Sequence, residues 1–241
     1  MTRLNSHRSS RALVALGALL LLTLPACHST PAPPPHHAPG PQQPHHGAHD
    51  FADAESWAEH FDDPARDVWQ RPEAVIDRVG IDPDTVVADI GAGTGYFAVR
   101  LARRVPAGKV LAVDVEPDMI RYLDERAVKE GLSNLTAVLG APDDARLPDR
   151  VDVVWMVNTY HHIASRTAYF ERLAADITPE GRVVIVDFKM GEQPVGPPDS
   201  MKVPPERIIR ELADAGYVLL YEDSTLLPHQ NLLVFGVVGS R

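Results

Sequence analysis

The segment that most constrains this chain is Asp89-Ile90-Gly91-Ala92-Gly93-Thr94-Gly95-Tyr96. It starts within a short apolar run, 86–90, and leads into a stretch that reads as a helix over 96–105. Glycines at a strand-to-helix turn let the main chain bend sharply and let a ligand approach the backbone closely. Spacing separates the ligands such a turn can take. A dinucleotide-binding turn needs Gly or Ala at position 96, where this chain has Tyr96, and the third glycine falls one residue early, at Gly95. A P-loop would require Gly-Lys-Ser/Thr to follow, and nothing of that kind does. The acid on the strand side, Asp89, is a second departure from the dinucleotide pattern.

The rest of the chain alternates around this turn. Residues 53–60 read as a short helix broken by Asp62-Asp63-Pro64, and Pro72 opens a helix over 72–79 that Gly80 stops. Apolar runs at 86–90, 109–113 (ending at Asp114), 135–139, 151–157 and 182–187 read as buried parallel strands. Helices are expected at 117–130, closed by Gly131, and at 165–176 and 204–215. Two last strands, 217–223 and 231–238, make a terminal hairpin. The order predicts an α/β fold: a doubly wound, Rossmann-like, mostly parallel sheet of seven strands with a C-terminal antiparallel hairpin. Trp155 and Met156, inside the fourth strand, read as core.

Charge and cysteine content narrow the function classes. The net charge is -10 over 241 residues, a poor basis for non-specific binding to nucleic acid. The single cysteine, Cys27, excludes an internal disulfide framework and a Cys-rich zinc site. Arg3, Arg8 and Arg11 precede an apolar run at 12–24, short for a membrane span and right for the apolar region of a signal peptide. The run ends in Leu24-Pro25-Ala26-Cys27, which resembles a bacterial lipobox except at Pro25. That resemblance implies a thioether lipid on Cys27 and cleavage before it. Residues 1–26 are therefore expected to be a lipoprotein-like signal peptide. Residues 27–49, rich in Pro and His, are expected to be a disordered tether. The His pairs at 36/37 and 45/46 read as part of a solvated spacer rather than as a metal site. Residues 50–241 are the expected folded domain, with lid helices over 50–80. The expected location is the cell envelope by a lipid anchor, or the cytoplasm if the leader is a mis-assigned start.

At this point the chain resembles a known family. Asp89-x-Gly91-x-Gly93-x-Gly95 is similar to motif I of the class I S-adenosylmethionine (SAM)-dependent methyltransferases, and the likeness extends over 70–241, hairpin included. The resemblance implies SAM as cofactor. It implies close main-chain contact from Gly91, Ala92, Gly93 and Gly95, with Asp89 contributing. It implies that Asp114, at the end of the second strand, takes the ribose hydroxyls, with Val115 and Glu116 beside it. It implies that Asp143 or Asp144, after the third strand, accepts from the adenine amino group. Asn158, after the fourth strand, falls at the motif IV position, with an implied carbonyl near the methionine end.

The acceptor side is less defined. His161 and His162 are candidate general bases, since a histidine titrates near working pH. Tyr160 is a candidate for positioning an acceptor by hydrogen bonding. Trp57, Phe61 and Trp69 either line a lid or pack an N-terminal helix on the sheet. Residues 188–203 form a Pro/Gly-rich loop expected to shape the acceptor pocket, where Lys189 either meets an anion or is solvated surface. No Asn/Asp-Pro-Pro-Tyr/Phe motif follows the fourth strand, which disfavours amino methylation of DNA bases or glutamine. Two functions stay open: methyl transfer to an unidentified small molecule, or an envelope lipoprotein that keeps the fold for binding without catalysis.

Overall fold

The strands β1 (Val86–Ile90), β2 (Lys109–Asp114), β3 (Leu135–Leu139), β4 (Val151–Val157), β5 (Ile177–Phe188), β6 (Tyr217–Asp223) and β7 (Gln230–Val237) form one seven-stranded sheet in the order β3-β2-β1-β4-β5-β7-β6. These come from a computed structural model that describes residues 53–238. The leader, Cys27 and the tether lie outside the described residues. Strands β1 to β5 pair in parallel, and β7 pairs antiparallel with both β5 and β6. The expected topology is therefore the one observed.

Helices cover both faces. On one side are α3 (Pro72–Val79), α4 (Ala98–Arg104) and α5 (Pro117–Glu130). Their Ile76, Leu101 and Leu123 pack with Val87, Val110 and Trp155 of the sheet. On the other side α6 (Arg166–Leu173) and α7 (Pro205–Asp214) bring Phe170 and Leu212 against Ala88, Leu111 and Met156. Neighbours along one strand thus belong to opposite cores, as the period of two requires. Trp155 and Met156 are both fully buried, as read from the sequence.

Two elements differ from the sequence reading. Helix α1 (Ala54–Phe61) ends at Asp62 as expected, but a second helix, α2 (Ala65–Gln70), starts immediately after Pro64. In the sequence Pro64 reads as a break. Here its φ of -57° is already helical, so it sits at the N-cap and starts a new turn instead. Arg71, at φ 43°, separates α2 from α3. Strand β5 begins at Ile177, five positions before the expected start, and its register against β4 shifts between Val151 and Val153. Pro179 and Gly181 had masked that extension.

Candidate active site

The strand order reverses between β1 and β4, and in an open α/β sheet ligands bind at the carboxyl edge beside such a reversal. The glycine loop leaves β1, and residues 158–162 leave β4 beside it. Gly91 has φ 76°, and a Cβ there would lie 2.3 Å from Oγ1 of Thr159. Only glycine lets the two loops touch. The amides of Gly91 and Ala92 both donate to the carbonyl of Val113, at 2.8 and 2.9 Å. Gly95, at φ 93°, serves packing: a Cβ would meet Leu123 of α5 at 2.9 Å.

Asp114 is aimed by backbone. Its Oδ2 accepts from Gly93 N at 2.8 Å and its Oδ1 from Glu116 N at 3.1 Å. Each carboxylate oxygen keeps further accepting capacity. Burial pushes this acid up, and backbone hydrogen bonds from Glu116, Gly93 and Val115 oppose the shift. Asp89 lies deeper, at 3% exposure. Burial first, then the charge of Asp114, raises it to about 7, against a hydrogen bond from the Ala98 backbone. Its Oδ2 is buried with no hydrogen-bond partner among the described residues. A buried carboxylate oxygen in that state is costly, and a donor or cation bound beside it would relieve it.

The other cofactor-side candidates separate. Ala92 is buried, and Val115 is exposed. Asn158 holds a left-handed φ of 58°, and its Oδ1 accepts from Nε2 of Gln230. Asp144 turns inward on its own loop, with Oδ1 accepting from Arg146 N at 2.8 Å. Asp143 is exposed, with Arg172 at 3.8 Å.

On the acceptor side one expectation is corrected. Tyr160 is fully buried, and its hydroxyl donates to Oε2 of Glu211 at 2.6 Å. Arg166 binds the same carboxylate, and the Tyr160 ring packs on Phe170. The tyrosine faces the α6–α7 core, so it does not position an acceptor. His161 goes the other way. Its Nδ1 lies 2.9 Å from Oδ1 and 3.0 Å from Oδ2 of Asp187, at the end of β5. His162 is exposed, its ring centroid 4.2 Å from that of His161. Lys189 is spent on structure: its ammonium donates to the carbonyls of Leu227 and Pro228.

Sequence reasoning missed Asp187 as a site residue. Its signal was present, since β4 and β5 are adjacent parallel strands whose ends carry a histidine pair and an aspartate. Trp57, Phe61 and Trp69, read either as a lid or as packing of an N-terminal helix, make ring contacts. Trp57 and Phe61 stack at 5.1 Å, and the ring of Phe61 lies 3.4 Å from where a Gly93 Cβ would be. Trp69 of α2 sits 6.1 Å from Phe188 and 6.4 Å from His229, ring to ring. Helix α2 is tied down by polar groups. Tyr96 donates its hydroxyl to Asp67 and has Arg66 and Arg100 over its ring at 4.0 and 4.2 Å. A buried relay runs from Arg66 to Gln70, from Gln70 Nε2 to Gln230 Oε1 at 3.1 Å, and on to Asn158.

A doubly wound seven-stranded sheet with an acid-flanked glycine loop at its switch point, closed by an antiparallel hairpin, defines a Rossmann-like α/β protein of the class I methyltransferase fold. Comparison with known proteins agrees. A family model described as a methyltransferase domain matches residues 87–181. A SAM-dependent methyltransferase from Aquifex aeolicus superposes with a TM-score of 0.73 at 27% identity, covering 79% of this chain and all of that one. The ubiquinone/menaquinone biosynthesis C-methyltransferase of Bordetella parapertussis is 30% identical over 126 residues, 51% of this chain and 48% of that protein. The trans-aconitate 2-methyltransferase of Afipia carboxidovorans is 28% identical over 127 residues, 53% of this chain and 44% of its own length. The chain thus spans about half the length of these curated relatives. It carries a methyltransferase domain over 87–181 and is similar in fold to SAM-dependent methyltransferases, whose cofactor is SAM. Among the described residues no helix is long and apolar enough to cross a membrane. Nor does any cluster of three or more His, Cys, Asp or Glu among them suit a metal ion.

Proposed function

We propose that the chain transfers a methyl group from SAM to a small-molecule acceptor. The observation that carries this is the pairing of Asp114 with the Gly93 amide beside the unpartnered Oδ2 of Asp89. A buried acid with an unpartnered oxygen beside an amide-held carboxylate favours a bound ligand over a scaffold that binds none. The residues present fit SAM. Asp114 would accept from the ribose hydroxyls, with Val115 and Glu116 at the rim. Gly91, Ala92, Gly93 and Gly95 would give close backbone approach. Asp89 would face the cationic end of the ligand, and Asn158 would offer a carbonyl near the methionine moiety. The adenine end would lie toward the 140–144 loop, where Asp144 is drawn in and Asp143 remains exposed.

SAM supplies a methyl group already activated on a sulfonium. The protein's own task is positioning and exclusion of water. The lid residues Trp57, Phe61 and Trp69 support the second task, since they lie over the glycine loop and the ends of β5 and β7. Location is a separate proposal. The basic, apolar and Leu-Pro-Ala-Cys sequence of the first 27 residues supports export and a lipid anchor on Cys27, with 28–49 as a spacer.

The function is tested by incubating the full chain with methyl-labelled SAM and a protein-free small-molecule extract. Label should appear in a small-molecule product with the wild type and be lost with Asp114→Ala. Label confined to protein, or no transfer by a chain that binds SAM, would contradict the reading.

A further inference from the structure

The acceptor side holds a second buried acid that cofactor binding does not use. Asp187 is 2% exposed, and four contacts fix it. Its Oδ1 accepts from Phe188 N at 2.8 Å, its Oδ2 is 3.3 Å from His161 N, and both oxygens face Nδ1 of the His161 ring. A carboxylate can only accept, so the proton of the neutral imidazole sits on Nδ1. Nε2 is then the ring's unprotonated nitrogen, with a lone pair to offer. The same carboxylate stabilises the imidazolium that forms when that lone pair takes a proton. The His161 side chain is 3% exposed, which suits a base working away from water.

The surroundings speak to the acceptor. The ring of Phe188 lies 6.5 Å from that of His161, and Trp69 and His229 continue the wall. His229 is held by a contact of 2.9 Å between Nδ1 and Gln193 of the long loop. A continuous wall of flat rings favours a planar acceptor. The nearby cation that would draw a carboxylate, Lys189, is occupied by two backbone carbonyls.

Building on the methyltransferase reading, we infer that His161 is the general base for a planar hydroxyl acceptor, a phenol or enol, and that Asp187 is the residue that positions it. The acceptor's O–H bond breaks and its proton goes to Nε2 of His161. The oxygen lone pair forms the new O–CH3 bond as the C–S bond of the donor breaks, with that bond's electrons staying on sulfur. The imidazolium then gives its proton to water. Atoms and charge balance with one proton released per methyl transferred.

The test uses the full chain, SAM and two probe acceptors. One is 4-methylphenol, protonated near neutral pH as a tyrosine side chain is. The other is pentafluorophenol, ionised at the same pH and in no need of a base. Calorimetric titration of each variant with SAM reports whether it folds and holds cofactor. His161→Gln should lower kcat on 4-methylphenol by roughly 10²–10⁴-fold and change pentafluorophenol turnover by less than about tenfold. Asp187→Asn should lower kcat on 4-methylphenol with KM little changed. By ¹⁵N NMR it should also move the His161 proton away from Nδ1. Equal losses on both phenols in His161→Gln, or an unmoved tautomer in Asp187→Asn, would overturn the base assignment. SAM binding with turnover of neither phenol by the wild type would overturn the hydroxyl acceptor and leave the methyltransferase reading standing. No SAM binding by the folded wild type would overturn both.

Discussion

The glycine loop and the N-terminal helices proposed as a lid meet at the same edge of the sheet but are held in opposite ways. The loop is built from main chain: amides of Gly91, Ala92 and Gly93 donate to Val113 and Asp114, within about two dozen residues of sequence. The lid is built from side chains paired over long distances. Tyr96 reaches Asp67, and Gln70 reaches Gln230, 160 positions away. A backbone-built site is specified by where glycine stands and tolerates few substitutions. A side-chain-built lid is set by individual pairs, each worth little beyond its own desolvation.

That contrast can be broken or sharpened by substitution. The largest effect should come from Gly91→Ala. A Cβ at left-handed φ, 2.3 Å from Thr159, adds backbone strain to a clash. A loss of about 2–4 kcal/mol in denaturant unfolding is expected, together with loss of SAM affinity. A tolerated alanine would show that the two loops are not in contact. Next comes Gln230→Ala, which strands the buried Nε2 of Gln70 and frees the Asn158 amide. A cost of about 1–3 kcal/mol and faster proteolysis within 53–71 are expected. Unchanged proteolysis would mean the relay does not hold the lid.

Asp89 gives a smaller effect that depends on pH. Its value of about 7 in the folded chain stands above the ordinary 3.8. Between these values the native state keeps a proton that the unfolded chain has released. Its contribution to stability therefore falls as pH rises through that window. The ligand-free protein should lose more stability over that range than Asp89→Asn does, as read by urea unfolding. Matching slopes would contradict a buried, raised Asp89. Tyr96→Phe should be smallest, about 1 kcal/mol, since the two guanidiniums keep their stacking on the ring and only the bond to Asp67 is lost. A cost as large as that of Gln230→Ala would shift the lid's anchor from the buried relay to Tyr96.

The same contrast explains what the sequence disclosed. Strands β1 to β4 and helix α5 follow from apolar runs, Pro117 and Gly131, all local signals. The fold was legible for that reason, and the acids and glycines read as a cofactor site sit at strand ends, where chain order alone places them. Helix α2 was not legible, because six residues starting after a proline carry little periodicity. What orders them is Gln70 bonded to Gln230, a tertiary contact. Tyr160 shows the reverse error. Its place beside Asn158 and His161 marked it as a site residue, but a 3₁₀ turn at Tyr160–His162 rotates it toward Glu211 and leaves His161 on Asp187. Three successive residues on a tight turn cannot share a direction, and the sequence does not say which one turns inward.

The decisive measurement is calorimetric titration of the full chain with SAM, for the wild type and for Asp114→Ala. Loss of the two charge-assisted hydrogen bonds proposed at the ribose should weaken binding by roughly 10²–10⁴-fold, with folding intact. Equal affinity in the two proteins, or no binding by a folded wild type, would contradict a cofactor site built on Asp114 and the glycine loop.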